Sequence, residues 1–334
     1  MREYDFELRL AALLERDGLP GSLGSVESGI LARQLGTSVV GAGSRILDLI
    51  AVGPGPAFDD RIALTGATIP PLAVESSIPA GTARPVTAAI DAPPEVARRV
   101  AERAAEIGFF ELARRDGQLI ARQVARYPDW FSTLVGIENK PDLGTPGDLA
   151  AQLRRDVSLQ VLDYVVLATA SHVTRAHRHR LPDPVGIWRV EPAAPAVEVI
   201  REPKPLSPAD PSVEIRAEQP GQFDVAHVTA REKARQRRRI AERAYGKGWR
   251  PETVPGCENL TPERVAGTDG LPGCSWAGRL VEPSAECGAD CPGFEPGPEP
   301  EVDPVSERAR RTPWEPDPPG LARRQAFLDR FRED

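Results

Sequence analysis

Apolar residues recur at helical spacing over residues 3–16, where Phe6, Leu10, Leu13 and Leu14 share one stripe and Asp17-Gly18 supplies the stop. The same reading predicts a second helical piece over Val26–Leu35, closed at Gly36. The pattern then turns almost continuously apolar over Arg45–Val52, a strand ended by Gly53-Pro54-Gly55-Pro56 with a single acid, Asp48, in its middle. An acid buried in such a run is expensive unless it is hydrogen-bonded or faces a cation. On the exposed face of an edge strand it would need no explanation.

From 57 to 133 the text is rich in Pro and Ala, with a helix expected over about 94–108 (Val96, Val100, Ala104, Ile107). Two strand-like runs follow, Phe109–Arg114 and Gln118–Arg126, joined by Asp116-Gly117, a strong hairpin turn. A helix followed by a hairpin is how a winged-helix module ends, and also how many α+β inserts look. Leu134-Val135-Gly136-Ile137-Glu138-Asn139-Lys140 then reads as a strand stopped by Pro141. Strand alternation turns Val135 and Ile137 one way and puts Glu138 and Lys140 together on the other face. A helix over Asp148–Gln160, a buried strand over Asp163–Thr169 and a last strand over Val185–Val190 complete this region. Between the last two lies a piece with His172, His177 and His179 among Arg residues, whose spacing suits a solvated basic turn better than a metal site.

The remainder differs in kind. Residues 191–225 read as a Pro-rich linker, or a loose arm with a short strand near Val197–Ile200. Residues 231–250 carry nine basic and two acidic side chains, a local +7 helix in a protein of net charge −7. The overall acidity excludes a whole-protein basic footprint, so any nucleic-acid contact must be local. The chain closes, over 295–334, on an acidic Pro-rich tail with an amphipathic end (Leu321, Phe327, Leu328, Phe331). No run reaches the ~18 apolar residues of a membrane span, and the amino terminus lacks the apolar core of a signal peptide. A cytoplasmic protein without membrane contact is expected.

Composition sharpens two places. Of 42 Lys and Arg residues only four are Lys, and Lys140 is the only one before Lys204. Lys is a compact charge that can lose its proton when desolvated, a property Arg lacks. All four Cys lie between 257 and 291 (Cys257, Cys274, Cys287 and Cys291, with 16, 12 and 3 residues between successive members). In a cytoplasmic protein this grouping points to a metal before disulfides, although only one pair is close and the spacing is no standard zinc ribbon. Zinc leads; a [4Fe–4S] cluster is the alternative, because Pro292 follows the last Cys. Unligated thiols are the plain reading. With the basic helix, the cysteines define a module over 226–294.

In order, residues 1–190 read helix, strand with Asp48, long insert (54–134), strand with Glu138-Asn139-Lys140, helix, strand. This order resembles the restriction-endonuclease-like fold, and the acids resemble those of the PD-(D/E)XK nuclease superfamily, in its uncharacterised archaeal-type branch. Two departures stand out: 90 positions separate Asp48 from Glu138, and Leu47 stands where that family has Pro. The resemblance implies an α/β (α+β) core with a mixed central sheet flanked by helices. It also implies a Mg²⁺ or Mn²⁺ ion held by Asp48, Glu138 and the backbone carbonyl of Asn139, with Lys140 at the attacking water. Glu7 on the first helix is the further acid, ahead of Glu3 and Glu27. Gln160-x-x-x-Tyr164 matches a motif of some relatives, but Tyr164 already belongs to a strand. Phosphodiester hydrolysis needs a hard cation with oxygen ligands, which explains why these residue types are wanted. The expected function is a metal-dependent nuclease acting on DNA in repair, recombination or defence, with DNA held by the active-site cleft and by 231–250. A non-catalytic nucleic-acid-binding protein on the same scaffold, with a structural metal site, is the alternative. A regulatory metal-site protein whose first half docks a partner is a third reading.

Overall fold

The computed structural model describes residues 2–26, 29–41, 45–145, 147–191, 196–251, 255–299 and 303–313, with 315, 317, 318 and 320. The expected amphipathic end at 321–331 and the weaker candidate Glu27 lie outside the described residues. The chain divides into two compact units, Met1–Gly53 with Thr133–Ile240 and Gly248–Pro313, and Pro54–Ser132 with Ala241–Lys247 and Trp314–Asp334.

The first unit is mixed α/β, with a mixed central sheet flanked by helices. Among the described residues its sheet has six strands, in the spatial order Ile30–Gly36, Ile46–Pro54, Phe131–Asn139, Tyr164–Thr169, Gly186–Glu191, Ala196–Arg201. The first two are antiparallel, the third, fourth and fifth are parallel to one another, and the last is antiparallel to its neighbour. The parallel connection between Phe131–Asn139 and Tyr164–Thr169 passes through the helix Leu149–Leu159, which buries Leu149, Leu153, Asp156 and Leu159. The helix Glu3–Asp17 lays Phe6, Leu10, Leu13 and Leu14 into one core with Leu49, Ala51, Val135, Ile137, Val166 and Trp188. Gly136 has a packing reason: a Cβ there would lie 2.5 Å from Leu162 Cδ1 and 2.7 Å from Leu47 Cδ1. The missing side chain lets both leucines close over the strand that carries Glu138.

Two expectations are corrected. Residues 30–36 form a strand, not the end of a helix, because antiparallel pairing with Ile46–Gly53 outweighs a short run of helical spacing. The segment 191–225 is not a plain linker: the strand expected near Val197–Ile200 is present as Ala196–Arg201, in the sheet, and the unexpected part is a hairpin of Ser212–Gln219 with Gln222–Val228. Further on, the helix Ala230–Lys247 is followed by a three-stranded sheet of Leu260–Val265, Thr268–Cys274 and Arg279–Leu280. The basic piece after Thr169 forms a short helix, Arg175–Arg180, with none of its side chains buried.

The second unit runs through the short helices Phe58–Leu64 and Pro71–Val74, the strand Arg84–Pro85, the helices Val86–Ala89 and Pro94–Glu106, and the hairpin Phe110–Arg115/Gln118–Gln123. Its three strands are ordered 84–85, 118–123, 110–115. Asp116 and Gly117 take positive φ (51° and 77°) at the hairpin turn, as a two-residue turn of this hand requires. Its centre holds an ion pair between Arg61, fully buried, and Glu242, which also accepts from the Tyr127 hydroxyl at 2.8 Å. Among the described residues no helix is long and apolar enough to cross a membrane.

Candidate functional site

Asp48 and Glu138 stand on neighbouring strands of the first unit. Asp48 Oδ2 accepts the backbone N–H of Asn139 at 2.7 Å, so its carboxylate lies against the residue that follows Glu138. Opposite Asp48 in the antiparallel register lies Gln34, between the pairs Arg33↔Leu49 and Leu35↔Leu47. Gln34 has φ of 54°, in the left-handed region that non-glycine residues seldom adopt. From there its side chain hydrogen-bonds Asp48 and donates to Glu7 Oε2 at 3.3 Å. Glu7, on the first helix, also accepts from Arg33 Nε at 2.9 Å. Sequence reasoning missed Gln34 because it fell inside a segment read as helical.

Asp48 links the acids electrostatically: Glu3 acts on it, and it acts on Glu7 and Glu138. Burial pushes Asp48 up from the usual carboxylate range, the Asn139 N–H and Arg45 oppose this, and Glu3 adds to it. Burial likewise raises Glu7, against Arg33 and with help from Asp48. Glu138 is pushed up to about 8 by burial and then by Asp48, with Arg45 opposing. A site that crowds buried carboxylates in this way favours protons or cations between them.

Arg45 already supplies one cation. It places Nη2 2.6 Å from Glu138 Oε2 and grips Asp156 with Nε at 3.0 Å and Nη2 at 2.6 Å. All three side chains are nearly inaccessible, at 8%, 8% and 1%. Burial would lower the Arg45 guanidinium, but Asp156 and Glu138 hold it above its ordinary value. Burial raises the Asp156 carboxyl, and Arg45, gripping it with two nitrogens, opposes that rise. Glu138, with a single Arg45 contact and Asp48 beside it, is raised as well. A lone Arg before a strand carries no pattern, so Arg45 was invisible in the sequence. Asp156 had a signal: it occupies the i+7 position of the stripe Leu149, Leu153.

Lys140 lies one residue past its strand and reaches Glu3 Oε1 at 2.5 Å. Lys140 extends the strand's pairing through its N–H to the Ala168 carbonyl at 2.9 Å, and Glu138 and Lys140 contact different partners, Arg45 and Glu3. Asn139 is buried, and its Oδ1 and Nδ2 have no hydrogen-bond partner among the described residues. Such orphaned atoms are uncommon and mark a place where something further is wanted.

The oxygen-rich donor set suits a hard divalent cation, and Glu138 Oε1 accepts no bond among the described residues. Against this, no group of three or more His, Cys, Asp or Glu among the described residues is arranged to hold a metal ion. The guanidiniums of Arg33 and Arg45 answer part of the charge instead.

The other predicted regions fare differently. Lys233 is fully buried and donates to the Ser207 carbonyl at 3.0 Å. Arg237 pairs with Asp163 at 2.8 Å and Arg250 with Glu15 at 2.5 Å. These three basic groups of 231–250 serve the fold and are not a phosphate-facing array. The four cysteines are half-buried free thiols. Burial and the charges of Cys274, Cys291 and Cys257 all push the Cys287 thiol up, so the other three lie within electrostatic reach of it.

Residues 30–296 match a family of unknown function, DUF5787, and the chain belongs to that family. No curated protein and no solved structure matches it.

Proposed function

We propose that this protein is a metal-dependent nuclease of the PD-(D/E)XK type, with a restriction-endonuclease-like core in its first unit, acting on DNA. The observation that carries the reading is the adjacency of the Asp48 and Glu138 strands, with Asp48 bonded to the Asn139 backbone and within electrostatic reach of Glu138 and Glu7. The strand order supports it too: the helix bearing Glu7, the antiparallel pair ending in the Asp48 strand, the Glu138 strand, then a helix and a parallel strand. A divalent cation held by Asp48, Glu138 and the Asn139 carbonyl would polarise the phosphoryl group. The chain's own residues do the rest. Lys140, exchanging its contact with Glu3 for the substrate, steadies charge developing on the attacked phosphate. Glu7, held by Arg33 and Gln34, fixes the acid beside Asp48. Arg45 anchors Glu138 so that its carboxylate faces one way.

A second reading, a non-catalytic nucleic-acid-binding protein, is favoured by two observations. Arg33 and Arg45 already neutralise part of the acid cluster. The second unit runs helix, strand, helix, helix, hairpin from Pro71 to Gln123, an order that suits a winged helix with Arg114 and Arg115 exposed at its wing. Incubation with single- and double-stranded DNA and RNA, in Mg²⁺, Mn²⁺ or EDTA, separates the two. Cleavage of DNA that EDTA abolishes supports the nuclease; binding without cleavage in any metal supports the second reading.

A further inference from the structure

The four cysteines sit on three backbone segments that the structure stitches together. Cys274 ends the strand Thr268–Cys274 and lies opposite Leu260, three residues after Cys257. The Cys257 segment runs against the last one: Cys257 bridges to Pro296, Glu258 N–H donates to the Glu295 carbonyl at 2.8 Å, and Asn259 Nδ2 donates to the Gly293 carbonyl at 3.0 Å. Gly293, two residues after Cys291, lies so close to Trp276 that a Cβ would fall 2.4 Å from its ring. Trp276 in turn is two residues after Cys274. Cys257, Cys274 and Cys291 are thus each within three residues of a direct contact to another of the three segments, and Cys287 starts the turn that leads to Cys291.

Cys274 sits at a tight turn that aims a backbone donor at its sulfur. The Ala277 N–H donates to Cys274 Sγ at 3.4 Å, and the Gly278 N–H donates to the Cys274 carbonyl at 2.8 Å. Gly278 takes φ of 64° in this tight turn. The three-stranded sheet joins the first unit's core through Val265, Leu271 and Leu280, whereas among the described residues the turns over 287–296 contribute nothing to that core and gain from a staple.

We propose that Cys257, Cys274, Cys287 and Cys291 together bind one Zn²⁺ ion that ties the three-stranded sheet to the segment 287–296. Each thiol gives its proton to solvent as the sulfur becomes a ligand, and no electron is transferred. As free thiols the four are not closed on one point; in sites of this kind the ion itself completes the geometry. Zinc takes four thiolates in a closed structural site, and nothing here calls for an open coordination position.

The test uses the full-length protein. Metal analysis after purification without added metal, followed by Co²⁺ titration of the metal-stripped protein, reads occupancy and ligand type. The expected result is one zinc per chain, one equivalent of cobalt giving intense sulfur-to-cobalt absorption, and a loss of cobalt affinity of at least about tenfold in each of Cys257→Ser, Cys274→Ser, Cys287→Ser and Cys291→Ser, since even outer-shell partners carry that much. A parallel alkylation measurement on the unaltered protein guards against variants that fail to fold: zinc is expected to protect all four cysteines together. The proposal is overturned by four thiols that alkylate equally with and without zinc, by a disulfide, or by bound iron with the visible absorption of a cluster.

Discussion

Replacing Arg45 by Met removes the cation shared by two buried carboxylates. In the native protein its guanidinium touches Glu138 with one nitrogen and Asp156 with two, at 2.6–3.2 Å, and Asp156 is almost wholly inaccessible. Breaking a buried pair by deleting one partner costs about 3–5 kcal/mol, since the surviving charge cannot reach water. Asp156 loses both of its guanidinium contacts here, while Glu138, pushed up to about 8, is already largely protonated at pH 7, so a cost within that range is expected there. The loss should shrink in acid. Without Arg45 both carboxyls rise further above their ordinary values, so the folded variant holds protons that its unfolded chain releases. A group raised in the folded state gives stability that is complete below its unfolded value and is lost as pH climbs. The Arg45→Met deficit should therefore be smallest near pH 4 to 5 and grow towards pH 8. Arg45→Lys should recover only part, because one ammonium cannot grip Asp156 and Glu138 at once. With two compact units a single unfolding transition is not assured, so hydrogen exchange of the strand Phe131–Asn139 at several urea concentrations is the local readout. A deficit below about 1 kcal/mol at pH 7, or one that does not change with pH, would refute the reasoning.

Three other outcomes follow from the same geometry. Gly136→Ala forces a methyl between Leu162 and Leu47 and should cost about 1–3 kcal/mol through overpacking, seen as a lowered denaturation midpoint. Gln34→Gly should relieve a left-handed residue, leave stability unchanged or raise it by up to about 1 kcal/mol, and still reduce metal-dependent activity, because Glu7 and Asp48 lose a shared partner. An activity assay beside a melting curve checks the split. For the native protein without metal, Glu138 at about 8 against an ordinary 4.5 means stability that declines as pH rises between those values; added Mn²⁺ should flatten the decline, measured by denaturation at pH 5, 6.5 and 8.

Much of the central sheet could be read from the sequence, because its strands are apolar runs: Ile46–Pro54 and Phe131–Asn139 are closed by Gly or Pro, and Tyr164–Thr169 is a short apolar run between Asp163 and Ser171. The Ile30–Gly36 strand could not, since Leu31 and Leu35 repeat at helical spacing and only pairing with a distant strand decides the matter. The hairpin Ser212–Val228 had a usable signal in Pro220-Gly221 between two alternating runs, with Gly221 at φ of 78°, but the surrounding prolines hid it. At the site, the acids and Lys140 stood out because their types are costly or rare where they occur. Their partners did not: Arg33, Gln34 and Arg45 acquire meaning only when the chain brings them to Glu7, Asp48 and Glu138. In the basic helix, local charge reveals nothing of how many side chains meet internal acceptors, as Lys233 and Arg237 do.

The central claim is that Asp48 and Glu138 together serve phosphodiester hydrolysis. Its most direct test is single-turnover cleavage of DNA in Mn²⁺ by the native protein, Asp48→Asn and Glu138→Gln, with folding of each checked by circular dichroism. The account predicts metal-dependent cleavage by the native protein and its loss in both variants with the fold retained. Cleavage undiminished in either folded variant, or none by the native protein on any nucleic acid in Mg²⁺ or Mn²⁺, would contradict it.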